Sequence, residues 1–141
     1  MRLVPDPVCG EVALTATASE LARLAGAIAE GAGFISTASM RPLDGNTLAG
    51  IEVRTTLSSG VRIDLDAQRQ TLVISGDADA RAVLADNLHA MATAEDGGHL
   101  HIDYFPEHPY LMAGSLPVVV NSPHGGMPAR RTEPAATGPC N

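Results

Sequence analysis

The chain contains no lysine and no tryptophan, and its aromatic residues amount to 3% of 141. Without lysine there can be no Schiff base and no catalytic ammonium. With so few rings, a base-stacking nucleic-acid platform is also excluded. No apolar run approaches the roughly 20 residues needed to span a bilayer. The opening residues, Met1 to Pro7, carry two prolines and no apolar h-region, so they read as neither a secretory signal nor a transit peptide. Cysteine is almost absent. Cys9 and Cys140 lie near opposite ends in no metal or redox spacing, so two unpaired thiols and a cytoplasmic location are expected.

What remains suits one soluble domain. Hydrophobic residues make up 45% and charged residues 18%, and the chain is long enough to enclose a core without disulfides or metals. Sixteen acidic residues against nine basic ones leave a formal charge of -7. A phosphate-binding surface is disfavoured, and a basic protein partner fits better.

Hydrophobic spacing predicts the elements. A strand is expected within Val8 to Thr17, followed by a capping box, Thr17-Ala18-Ser19-Glu20, opening a helix buried on Leu21, Leu24, Ala25 and Ile28. Residues Phe34 to Gly50 lack periodicity and read as a long loop. Three strands in a meander come next, from Ile51, from Val61 and from Thr71 to Ser75. Asp77 caps a second helix that buries Ala80, Val83 or Leu84, Leu88 and Met91, and Asp96-Gly97-Gly98 ends it. His99 to Phe105 and Leu116 to Asn121 complete the strands. The expected fold is α+β, a two-layer sandwich in which two helices cover one face of a mostly antiparallel sheet of about six strands. A strand-helix-strand-strand unit is expected twice, from Val8 to about Asp66 and from Thr71 to Asn121. Residues 1–121 form one domain, and 122–141, rich in proline and glycine, form a flexible tail.

Candidate chemistry is sparse. His99, His101 and Asp103 alternate along a strand and share a face, a donor set that suits zinc. The run is similar to the His-x-His-x-Asp-His signature of metallo-β-lactamase-type hydrolases, but Tyr104 stands where the final histidine belongs and no downstream ligand set follows. The simpler reading is a solvated or partner-facing side, with metal binding as the alternative. His89, His108 and His124 read as surface residues. Ser115 has glycine on one side only, so the nucleophile elbow is missing, and Cys9 reads as an edge or buried thiol. Asp64 with Asp66 is a solvated strand face, and Asp77 with Asp79 opens a helix. Gly97-Gly98 and Gly125-Gly126 precede no helix and form no phosphate loop. Neither an enzyme nor a bound cofactor is expected.

The second half carries a resemblance. Leu72-Val73-Ile74-Ser75-Gly76, the helix after it, His99 to Phe105, Pro106-Glu107-His108-Pro109-Tyr110-Leu111 and Ser115-Leu116-Pro117-Val118-Val119-Val120 together resemble the immunity protein 32 family of bacterial polymorphic toxin systems. The resemblance implies a small antidote that binds a cognate toxin and covers its active site. It transfers no catalytic residues. Acids on outward strand positions or the adjoining loop, Glu52, Asp64, Asp66, Asp103 and Glu107, are the candidates for a docking face. Tyr104, Phe105 and Tyr110 lie nearby either as aromatic anchors, Tyr110 above all, or as residues that finish the core. A non-catalytic oligomeric scaffold is the remaining alternative, since an open sheet leaves strand edges.

Overall fold

A computed structural model describes residues 1–6, 10–36, 48–93 and 99–121. Cys9, Cys140, His124, both Gly-Gly pairs and the 122–141 segment lie outside the described residues. The elements, in chain order, are β1 (Arg2–Asp6), β2 (Glu11–Thr15), α1 (Ala18–Glu30), β3 (Gly33–Ser36), β4 (Gly50–Thr55), β5 (Val61–Asp66), β6 (Thr71–Gly76), α2 (Ala78–Thr93), β7 (His99–Ile102) and β8 (Val118–Asn121). The α+β class holds. The strands number eight where about six were expected, and they form two four-stranded sheets, β1-β2-β8-β7 and β3-β4-β6-β5. The two unexpected strands, β1 and β3, lie in the proline-bearing opening and in the stretch read as loop. Both are edge strands, whose identity is settled by a neighbour more than by their own alternation.

The predicted meander is also corrected. Strand β4 pairs with β6 in parallel, and β5 lies on the far side of β6, antiparallel to it. Burial explains the order: Leu72, Val73 and Ile74 are all buried, so β6 is covered on both faces and sits inside the sheet. Strand β5 buries Val61 and Ile63 while Arg62 faces solvent, as suits an outer position. Each sheet thus holds one parallel pair at its centre and an antiparallel pair on either side.

The strand-helix-strand-strand unit does not hold either. The order is two strands, a helix and two strands, run through twice. Exchanging the two halves turns one sheet order into the other, so each sheet takes one hairpin from each half. The side hydrogen bonds obey the same exchange. Leu48 N–H donates to the Leu3 carbonyl at the edge of β1 (2.9 Å), and residues 110–116 line the edge of β5. There Val61 N–H donates to Tyr110 O at 2.7 Å, Met112 N–H to Val61 O at 2.8 Å and Leu116 N–H to Ile63 O at 2.8 Å.

One apolar layer joins both sheets to the helix pair. Val12, Leu14, Ile51, Ile63, Leu72, Ile74, Ile102, Val118 and Val120 meet Leu21, Leu24, Ile28, Leu84 and Leu88. The capping box is present: Glu20 N–H donates to Thr17 Oγ1 at 3.1 Å, and Thr17 N–H to Glu20 Oε1 at 2.9 Å. Helix α1 ends on Gly31, whose φ of 89° is left-handed. A Cβ there would collide with the Thr55 hydroxyl and the Arg81 guanidinium. In α2, Leu84 takes the core position and Val83 turns outward, 42% exposed.

Candidate docking surface

The expected acidic residues divide between two places. Glu52, Asp64 and Asp66 stand on the outer side of the β3-β4-β6-β5 sheet, interleaved with arginines. Glu52 is bonded by Arg54 Nε at 3.0 Å and by Arg69 Nη1 at 3.0 Å. Asp64 pairs with Arg62 at 3.1 Å, and Asp66 with Arg69 at 3.5 Å. Hydrogen bonds from Arg54 and then Arg69 hold the Glu52 carboxyl below its usual range, and Glu52 in turn raises Arg54. Three acids facing three arginines leave these six residues with no net charge, which the linear sequence could not show.

Asp103 and Glu107 stand elsewhere, on the loop between β7 and β8. Among the described residues neither is in an ion pair, and nor are Asp77 and Asp79 at the start of α2. A cleft of about 350 Å³ separates loop from helix. Asp79 and Val83 of α2 and Asp77 just before it line the cleft, as do His108 and Tyr110 of the loop and the Ser59-Gly60 turn. Asp77 stands at the expected cap position of α2, where its carbonyl accepts the Arg81 amide at 3.0 Å, while its carboxylate accepts the Gly60 amide at 2.9 Å and fastens that turn to the helix.

The loop is built on His108. Its Nδ1 accepts the backbone amides of Tyr110 at 3.2 Å and Leu111 at 3.0 Å, so the ring is neutral with its proton on Nε2. Phe105 and Tyr110 pack against the ring at centroid distances of 4.6 and 4.7 Å. Burial lowers the His108 pKa, against the opposing pull of Asp103. Tyr110 is buried at 7% exposure, and the exposed ring of the group is Phe105 at 52%. Burial raises the Tyr110 phenol, while a hydrogen bond with Asn87 works the other way. Tyr110 therefore seats the loop on α2, and Phe105 is the ring that solvent or a partner can reach.

Glu107 adds backbone strain. His108 N–H donates to the Phe105 carbonyl at 3.0 Å, closing a turn with Pro106 second and Glu107 third. Glu107 has φ of 69°, the conformation that a type II turn ordinarily assigns to glycine. Strain of this kind persists where its surroundings impose it, and such residues gather at functional sites.

The histidine strand is shorter than expected. Strand β7 ends at Ile102, so Asp103 lies past the alternation that would have placed it beside His99 and His101. Among the described residues no group of three or more histidine, cysteine, aspartate or glutamate side chains could hold a metal ion. The two histidines are exposed, and His99 Nδ1 lies 2.9 Å from Asn121 Oδ1.

Phe105 was among the expected aromatic anchors, whereas His108, Asp79 and Val83 were not singled out for this surface from sequence. A histidine flanked by Glu107 and Pro109 was the available signal, because a ring just before a turn can accept amides two and three residues on.

Paired helices, two mixed sheets and a cleft edged by unpaired acids define an α+β protein with a built surface loop. The comparisons narrow this. The family described as Immunity protein 32 matches residues 71–123, from β6 through α2, β7 and the whole loop to just past β8. This is the half in which the resemblance was read. No curated protein and no solved structure matches the chain. Among the described residues no helix is long and apolar enough to cross a membrane.

Proposed function

We propose that the chain is an immunity-type protein that binds a cognate bacterial toxin in the cytoplasm and covers its active site without catalysing a reaction. The match over residues 71–123 supports the toxin partner. The observation that carries the docking surface is the contrast between the two acidic regions. Glu52, Asp64 and Asp66 already have arginine partners, whereas Asp103 and Glu107 share the loop that carries the exposed Phe105, Asp79 lines the cleft beside that loop, and no arginine lines the cleft. Unpaired acids steer a basic toxin surface into contact, and a central ring excludes water once it is there.

The test is co-expression with the toxin encoded beside the gene, followed by calorimetry of the purified pair at two salt concentrations. Rescue of growth and an affinity that falls with salt are expected. Failure to neutralise that toxin, with both proteins folded, would overturn the proposal.

A further inference from the structure

His99 and His101 present a second arrangement that the docking surface does not use. They are two residues apart on β7, so both rings leave the same side of the sheet, with centroids 6.0 Å apart. Directly across from His99 in the register stands Asn121 of β8, and across from Asn121 stands Thr15 of β2. The three side chains are joined in a row. His99 Nδ1 lies 2.9 Å from Asn121 Oδ1, and Asn121 Nδ2 donates to Thr15 Oγ1 at 3.2 Å.

Because an amide oxygen can only accept, His99 donates from Nδ1–H, an arrangement that in the neutral ring leaves the lone pair on Nε2. Histidines that ligate metals are oriented in this way, by a donor bond from the other ring nitrogen to an oxygen of a neighbouring group. With Zn–N bonds of about 2.0–2.1 Å at a tetrahedral angle, two coordinated rings would have centres roughly 5 Å apart. The observed separation of 6.0 Å exceeds that spacing by about 1 Å, so with His99 held by Asn121 chelation requires the His101 side chain to rotate. The donors are two imidazole nitrogens without a carboxylate, which selects zinc, copper or nickel over magnesium or calcium.

We infer that His99 and His101, with the His99 ring oriented by Asn121 and Thr15, form a two-histidine chelating site for a first-row divalent cation of the zinc type. The remaining coordination positions belong to water or to a donor from another molecule. The inference is independent of toxin binding, since neither histidine lines the cleft.

The test is a ZnCl2 titration of the full, untagged chain, followed by imidazole nitrogen NMR, with MgCl2 as the comparison. Before metal is added, His99 should show an unprotonated Nε2. Zinc should shift His99 and His101 together and saturably, and magnesium should shift neither. His99→Gln and His101→Gln, both at exposed strand positions, should each lose tenfold or more in affinity while circular dichroism stays unchanged. Asn121→Ala should weaken binding about tenfold by releasing the ring. His89→Gln, on the exposed side of α2, should bind as the native chain does. A proton on Nε2 of His99, undiminished zinc binding when both histidines are replaced, or no saturable shift below about 1 mM zinc would overturn the inference.

Discussion

Arg81 Nη1 donates to the carbonyl of Ile28 at 2.7 Å, tying the first turn of α2 to the last turn of α1. The same nitrogen reaches Ala29 O at 3.1 Å, and Nε donates to Gly76 O at 2.9 Å. The guanidinium is 4% exposed and bonds to carbonyls at the negative end of the α1 dipole. It joins the two helices and the end of β6 at one point. Arg81→Met should therefore lower stability by about 2–4 kcal/mol, because charged hydrogen bonds are lost and helix-end carbonyls are left buried without donors. Arg81→Lys should recover only part, since a single ammonium cannot span Gly76 and Ile28 together. Urea denaturation measures both.

Glu107 separates stability from binding. Glu107→Gly removes the cost of a left-handed side-chain-bearing residue, so the chain should become more stable by roughly 1 kcal/mol. It also removes an unpaired acid from the loop, so affinity for the toxin should fall. Thermal unfolding and calorimetry on the same variant should move in opposite directions.

Charge reversal distinguishes the two acidic regions. Glu107→Arg and Asp79→Arg should each weaken toxin binding tenfold or more, mainly by slowing association, and should flatten its salt dependence. Asp64→Arg should have the smaller effect, because Asp64 is already offset by Arg62 at 3.1 Å. Stopped-flow association rates at two ionic strengths test the ranking.

His108 predicts a pH response. Its folded pKa is lowered by burial, so the unfolded chain takes up the proton first as pH falls. The stabilisation is complete above the ordinary histidine value of about 6.5, and it is lost as pH drops through the lowered folded value. His108→Asn keeps an oxygen to accept the Tyr110 and Leu111 amides but does not titrate. Its urea midpoint should change less between pH 7.5 and pH 5 than that of the native chain.

The α1 cap offers a local check. Thr17→Ala removes the acceptor of the Glu20 amide and should cost about 1 kcal/mol, read from the denaturation midpoint.

Local chemistry made both helices and six of the eight strands readable. The Thr17 to Glu20 box and the stripe of Leu21, Leu24, Ala25 and Ile28 define α1 because a helix start and a helix face are set by residues within a few positions of each other. The alternation of Val61 and Ile63 with Arg62 defines β5 in the same way. The succession of motifs from Leu72 to Val120 also carried the resemblance to the immunity protein 32 family. Pairing was not readable, because it depends on residues far apart in the chain. Only the folded molecule places β6 between β4 and β5, gives Glu52, Asp64 and Asp66 their arginines, buries Arg81 beneath α1 and turns Phe105 outward while Tyr110 goes in. A side chain's spacing decides which face of its own element it occupies, but what stands opposite that face is decided by how distant segments share one core.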